Sequence, residues 1–247
     1  MYNPFSLEGK TILVTGASSG IGQATAIECS KLGARLVITG RNAERLQETM
    51  NQLDGEGHLQ VIAELTNGDD VLKLVETVPA LNGLVLCAGR GMTLPLNFAT
   101  REKFDQILDV NFFAPTESLR MLLKKKKLSK GSSVAFVSSV GGNYSFNPGN
   151  GVYGVSKAAL NSAMKFWAVE LAPKKIRVNS VNPGMVNTKL VNGGTFTDEQ
   201  RAADMARYPL GRYGEPYEIA QGIVYLLSDA SSWVTGHSLV IDGGLTI

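Results

Sequence analysis

The sequence predicts an α/β protein in which a parallel sheet carries helices on both faces. Three observations lead there. Short apolar runs alternate with helical patterns from one end of the chain to the other. Runs such as Thr11-Ile12-Leu13-Val14 show no apolar–polar alternation, as expected of strands buried on both faces. The chain has 247 residues and 44% hydrophobic content, which suits one large core better than two small ones.

The elements follow in order. Thr11 to Val14 reads as the first strand, running into Gly16, and Ile21 to Leu32 as the first helix, closed by Gly33. Arg35 to Thr39 is the second strand and Ala43 to Leu53 the second helix. Leu59 to Ala63 and Asp69 to Val78 form the third pair, stopped by Pro79; Gly83 to Cys87 is the fourth strand. A long helical pattern covers Thr100 to Lys127, and Pro115 inside it removes a backbone bond and should bend or interrupt the helix. Ser133 to Val137, then Tyr153 to Leu171 ended by Pro173, then Ile176 to Val181 continue the alternation. Pro216 to Leu227 is the last clear helix and Ser238 to Ile241 the last strand, followed by Asp242-Gly243-Gly244. Right-handed βαβ crossovers join these units into a doubly wound, seven-stranded parallel sheet whose ligands bind outside the carboxyl ends of the strands. Residues 189–212 break the rhythm. Too long for a simple connection, they are the candidate substrate lid of a single domain spanning 1–247, the alternative being a mobile surface loop without function.

Composition narrows the classes of function. With 24 basic and 22 acidic residues the net charge is +2, which gives no drive toward nucleic acid or an anionic membrane. The one dense basic run, Lys124 to Lys127, reads as the solvated last turn of a helix, the alternative being a phosphate-binding patch. Cys29 and Cys87 lie in different elements with neither disulfide nor zinc spacing, and read as small core residues. No apolar run reaches the ~20 residues of a membrane span and no secretory h-region stands at Met1 to Lys10, so a soluble, cytoplasmic protein is expected.

The chemistry centres on Ser138 to Lys157. Tyr153 and Lys157 stand four apart where a helix begins, so phenol and ammonium share one face. A lysine cation beside a tyrosine favours the phenolate and draws its pKa down from ~10, equipping it to give or take a proton. A serine from the preceding loop, Ser138 or Ser139, could hold the reacting oxygen. This is machinery for a carbonyl or alcohol oxygen, and the hydride that must accompany the proton requires a cofactor.

A site for that cofactor lies between the first strand and helix, in Thr15-Gly16-Ala17-Ser18-Ser19-Gly20-Ile21-Gly22. Gly16 permits the turn, Gly20 lets backbone approach a pyrophosphate, and Gly22 lets the helix pack on the strand, with the helix N-terminus facing the phosphates. This reads as the phosphate turn of a Rossmann fold, spaced G-x-x-x-G-x-G rather than the commoner G-x-G-x-x-G, the alternative being a mere turn after the strand. At the end of the second strand an NAD site would carry an acid for the ribose 2′-hydroxyl; here Gly40 and Arg41 stand instead. Arg41 can fork onto a 2′-phosphate, and the expected cofactor is NADP(H); otherwise Arg41 simply begins the next helix as a solvated residue.

Together these residues resemble the short-chain dehydrogenase/reductase family over essentially the whole chain. The resemblance rests on the Thr15 to Gly22 turn, Cys87-Ala88-Gly89, Asn111, Ser139, Tyr153 with Lys157, Pro183-Gly184 and Asp242-Gly243-Gly244. It implies that Tyr153 donates the proton in reduction, that Lys157 lowers the pKa of Tyr153 and binds the nicotinamide ribose, and that Ser139 rather than Ser138 holds the substrate oxygen. It implies that Asn111 ties Lys157 to a proton-relaying water. Cofactor contacts are implied at Ser18, Ser19, Gly20, Ile21, Glu64, Leu65, Ala88, Gly89, Pro183, Gly184, Val186 at the carboxamide and Thr188 at the pyrophosphate. The implied activity is reduction of a ketone or aldehyde, or oxidation of the alcohol. A 3-oxoacyl thioester is the leading substrate, with sugar, steroid and small-alcohol substrates as alternatives, and the protein would be a homotetramer. A cofactor-binding regulator or scaffold subunit is the non-catalytic alternative. Three departures from the family pattern stand out: Leu86-Cys87 where Asn-Asn is common, Glu64 where Asp is expected near adenine, and a glycine- and asparagine-rich loop before Tyr153.

Overall fold

The computed structural model describes residues 2–188 and 197–247. Seven parallel strands form one sheet in the order β3-β2-β1-β4-β5-β6-β7. They are β1 (Thr11–Thr15), β2 (Arg35–Gly40), β3 (Leu59–Ile62), β4 (Leu81–Leu86), β5 (Leu128–Val137), β6 (Arg177–Pro183) and β7 (Ser238–Ile241). The order reverses at β1, so the crossovers leave a cleft above the β1–β4 pair, where such sheets bind ligands.

The central strands are buried on both faces, as their unbroken apolar runs require, while the edge strands β3 and β7 are partly exposed. On one face Ile12 and Val14 of β1 pack under α1 (Gly20–Lys31), α2 (Ala43–Met50) and a C-terminal helix, Pro216–Leu227, through Ala26, Cys29, Leu46, Ile219 and Ile223. On the other, Leu13 and Phe136 meet α3 (Gly68–Thr77), α5 (Ala114–Lys124) and α7 (Gly151–Leu171) through Leu74, Leu122, Leu160 and Met164. Each such fully buried side chain contributes roughly 1.5–3 kcal/mol relative to exposure.

The sequence overextends the helix predicted over Thr100 to Lys127. It divides into α4 (Arg101–Leu108), a π-helical turn at Asp109–Phe113 and α5. Pro115 lies just inside α5, and its ring nitrogen has no hydrogen for the carbonyl of Asn111 four residues back. The helix is interrupted there by a wider turn, as the proline predicts. The basic run leaves the helix after Lys124: Lys125 pairs with Glu76 at 3.6 Å, and Lys127 Nζ donates to the Glu76 and Val78 carbonyls at the end of α3. Those two lysines thus join α3 to the entrance of β5.

Two short helices escaped the sequence reading: α6 (Val140–Asn143), and α8 (Asp198–Met205), which opens on a Thr197–Gln200 capping box. Pro216–Leu227 is α9. Of the predicted lid, 189–196 lie outside the described residues. The rest is α8 and a segment pinned to the chain after β6, where Gly214 bridges Val186 and the Tyr208 hydroxyl accepts from the Met185 N–H at 3.1 Å.

Candidate active site

Because every strand is parallel, every strand delivers its carboxyl end to the same edge. There the glycine turn after β1, Arg41 after β2, Glu64 after β3, Cys87–Arg90 after β4, Ser138–Ser139 after β5 and Pro183–Thr188 after β6 come together.

The glycine turn has the shape its spacing predicts. Gly16 adopts φ +67°, and a Cβ there would stand 2.9 Å from the Ala88 backbone, so its lack of a side chain lets β4 close on the turn. A Cβ on Gly22 would collide with the Gly16 carbonyl, which is why the helix can start so near the strand. Ser19 precedes α1 without capping it by its side chain, so the first-turn N–H groups carry no side-chain acceptor from the N-cap. Thr188 lies over Gly20, 3.2 Å from where a Cβ would be, and Ser18 lies equally close to Gly40, 3.3 Å from its would-be Cβ. Ile21 is half-buried against the cluster beneath α1 and Leu65 is buried in the opposite one. An uncapped helix N-terminus, a glycine cradle and a threonine facing it fit a dinucleotide pyrophosphate.

The departure at Leu86-Cys87 has a structural answer. Leu86 is an apolar core residue, and the Thr15 hydroxyl accepts from the Cys87 and Ala88 N–H groups at 3.0 and 3.2 Å, fixing the β4 end to the turn. Gly89 follows, where a Cβ would lie 3.3 Å from Asn111 Oδ1 and 3.4 Å from Lys157 Nζ. Pro183 ends β6; Gly184 donates to the Ile241 carbonyl at 3.1 Å, and a Cβ there would stand 3.1 Å from Asp242. Val186 is buried beside Gly214.

Glu64 makes an interaction the sequence reading missed. Its Oε2 accepts from Arg41 Nη1 at 3.2 Å, while Oε1 accepts from the Thr66 hydroxyl at 3.0 Å and the Thr66 N–H at 3.3 Å. Burial pushes the carboxyl upward, but the Thr66 and Arg41 hydrogen bonds outweigh it and hold its pKa below the usual value.

On the other side of the cleft α7 presents Tyr153 and Lys157. The Lys157 side chain is buried, and Nζ donates to the Val137 carbonyl at 2.8 Å. Burial drives its pKa from 10.5 to about 8, with Cys87 pulling weakly upward. Nζ stands 5.8 Å from the Tyr153 ring centroid. The phenol is raised above its ordinary value, chiefly by burial; the Ser139 hydrogen bond lowers it and Cys87 raises it. The lowering expected from Lys157 is therefore absent in this arrangement, because the ammonium is itself desolvated and turned to a carbonyl. Of the two serines, Ser139 reaches the phenol, whereas Ser138 is buried and donates to the Lys157 carbonyl at 3.1 Å. Cys87 packs against the core at the end of β4; burial pushes its thiol to about 12, and Lys157 pulls it back. Cys29 is likewise buried and raised to about 12, inert inside α1.

Asn111 is wholly buried in the π-helical turn. Its side chain bonds the Arg90 backbone and donates to Ser156 Oγ at 3.0 Å, tying the β4 loop to α7. The loop before Tyr153, rich in glycine, has a packing reason. A Cβ on Gly142 would lie 2.8 Å from the Ala158 nitrogen, and one on Gly154 2.7 Å from the Gly141 carbonyl oxygen. Only glycines let α6 sit against α7 with Ser139 beside Tyr153. Gly154 and Ala158, small and four apart on one helix face, are the signal in the sequence for this close approach.

A family model described as enoyl-(acyl carrier protein) reductase matches residues 16–246. The chain is 36% identical to the 3-oxoacyl-[acyl-carrier-protein] reductase FabG of Thermotoga maritima, covering 98% of this chain and 99% of that one. A short-chain type dehydrogenase/reductase of Mycobacterium marinum superposes with a TM-score of 0.90 at 31% identity, covering 98% of each chain. RhlG of Pseudomonas aeruginosa, solved as an NADP active-site complex, gives 0.92 at 30% identity over 100% of both chains. With the glycine turn, the Ser139–Tyr153–Lys157 group and the seven-stranded sheet, these likenesses show that the chain belongs to the short-chain dehydrogenase/reductase family and is a nicotinamide-dependent oxidoreductase.

Proposed function

We propose that the protein is an NADP(H)-dependent reductase of a carbonyl substrate, with a 3-oxoacyl thioester as the leading class. The observation that carries the reading is the convergence of Ser139, Tyr153 and Lys157 at the sheet edge that also bears the uncapped α1 N-terminus. When bound, the nicotinamide supplies or accepts the hydride. Ser139 and Tyr153 hold the substrate oxygen, and Tyr153 gives it a proton in reduction or takes one in oxidation. A phenol with its pKa raised by burial is protonated at neutral pH, as a donor must be. Lys157 holds the nicotinamide ribose, and Asn111 fixes the β4 loop against α7 while joining Lys157 to a relaying water.

The α1 N-terminus with Ser18, Ser19, Gly20, Ile21 and Thr188 takes the pyrophosphate end. Glu64, Leu65, Ala88 and Gly89 border the adenosine, and Pro183, Gly184 and Val186 the nicotinamide. Arg41 receives the 2′-phosphate; the absence of an acid at Gly40 supports NADP(H), as does the NADP bound by RhlG. The described part of 189–212 borders the substrate, supported by the 3.4 Å bond from Arg207 Nη2 to Asn147 in the loop before Tyr153. The acyl-thioester class rests on the name of the Thermotoga relative. Cytoplasmic location and a homotetramer complete the reading. For the latter, Phe113 is 54% exposed beside Asn111, and Phe166 and Val169 on α7 are 72% and 77% exposed. Among the described residues no helix is long and apolar enough to cross a membrane.

The test is a panel of carbonyl compounds with NADPH, and of the matching alcohols with NADP, followed by the absorbance of reduced nicotinamide. Turnover of 3-oxoacyl thioesters is expected. Turnover confined to sugars or steroids would move the substrate class, and silence in both directions across thioesters, diketones, quinones and sugars would overturn the reading.

A further inference from the structure

The residue proposed to read the 2′-phosphate already has an anionic partner. Arg41 Nη1 lies 3.2 Å from Glu64 Oε2, with side-chain exposures of 76% and 40%. Glu64 is not a loose surface acid. The Thr66 hydroxyl and N–H both donate to its other oxygen, and its own N–H donates to Asp70 at 2.8 Å, so the residue is anchored at both backbone and side chain. The Arg41 side chain is largely exposed, and Glu64 is the partner that holds it among the described residues.

We infer that Glu64 is a specificity-determining residue that competes with the 2′-phosphate for Arg41 and thereby weakens the preference for NADPH over NADH. The inference rests on the reading of Arg41 given above. A phosphate forking onto that guanidinium must displace the carboxylate or lie beside it. Held by Thr66, the carboxylate cannot withdraw far, and with its pKa lowered it remains charged at neutral pH. Two like charges a few ångströms apart near a surface repel by an amount that salt only partly screens. NADH carries no phosphate at this point and leaves the ion pair intact. Glu64 therefore differs in effect from a neutral adenine contact: it sets how strongly one extra phosphate is rewarded.

The experiment measures Kd for NADPH and NADH by quenching of intrinsic fluorescence in the wild type, Glu64→Gln, Arg41→Ala and the double variant. Glutamine keeps the shape and an oxygen for Thr66 while removing the charge, and Glu64→Ala serves as a second variant if the amide distorts the loop. The ratio Kd(NADH)/Kd(NADPH) is expected to rise about three- to tenfold in Glu64→Gln at low salt, with a smaller rise in high salt. In the Arg41→Ala background the same substitution should raise the ratio clearly less than in the wild-type background, because the competition for Arg41 is gone and only the direct repulsion between carboxylate and phosphate remains. An unchanged or lower ratio in both Glu64 variants, with Arg41→Ala still losing NADPH preference, would overturn the inference and leave the cofactor reading standing. An unchanged ratio in Arg41→Ala would overturn the cofactor reading itself.

Discussion

Asn111 and Arg90 exchange two hydrogen bonds: the Arg90 N–H donates to Asn111 Oδ1 at 2.8 Å, and Asn111 Nδ2 donates to the Arg90 carbonyl at 2.9 Å. Nδ2 also donates to Ser156 Oγ, so one buried amide joins the β4 loop to the helix that carries Tyr153 and Lys157. Asn111→Ala leaves these groups without a partner, at a cost of about 2–4 kcal/mol. The melting temperature should fall by roughly 5–12 °C for a chain of this size. Turnover should fall with it, since the loop bearing Gly89 loses its tether. A calorimetric scan superposable on the wild type would show that the amide is not the joint described.

On the mechanism proposed above, Tyr153→Phe removes the hydroxyl that exchanges a proton with the substrate oxygen beside Ser139. Loss of kcat by about a thousandfold or more is expected, within the range for removing a positioned acid and its hydrogen bond. NADPH should still bind with a Kd within a few-fold of the wild type. Retained turnover would mean that another group carries the proton.

Lys157 supplies a pH test with a definite sign. Its pKa is about 8 in the folded protein and 10.5 ordinarily, so between these values the unfolded chain holds more protons than the native one. Stability from this group therefore rises with pH across that window, and the burial penalty is felt in full below about 8. Lys157→Met should be more stable than the wild type at neutral pH, with the difference shrinking as pH climbs toward 10.5. Urea midpoints of the two proteins, taken without cofactor at several pH values, give the comparison. A gap that stays constant would show that Lys157 is not desolvated as described.

Gly154→Ala tests the contact between α6 and α7. Its Cβ would lie 2.7 Å from the Gly141 carbonyl oxygen, so the α6 turn must move and carry Ser139 away from Tyr153. Helix propensity favours alanine by about 1 kcal/mol, which offsets much of the overpacking. Melting should thus change little, while kcat/KM drops by roughly ten- to a hundredfold from misplacement of the serine. A parallel loss of both would point to general unfolding of α7 instead.

The sequence by itself determined the architecture and the chemical theme. Unalternated apolar runs separated by helical patterns leave few options other than a parallel sheet covered on both faces, and all seven strands form where those runs lie. The spacing of Gly16, Gly20 and Gly22 is local information, because a turn and a helix start are decided within a few residues. Tyr153 and Lys157 share a face by helical geometry alone.

What only the tertiary structure decided are the interactions between segments distant in the chain. Ser139 reaches Tyr153 while Ser138 turns inward to the Lys157 carbonyl. Asn111, in the π-helical turn, bonds Arg90 and Ser156, partners that no periodicity within Thr100 to Lys127 could reveal. The pairing of Arg41 with Glu64 joins the ends of two strands 23 residues apart. Burial, which sets the direction of the Tyr153 and Lys157 pKa shifts, belongs to the packed molecule as a whole. Local pattern fixes backbone conformation because its physics is short-ranged; desolvation and long-range hydrogen bonds exist only once the strands have brought their carboxyl ends to one edge.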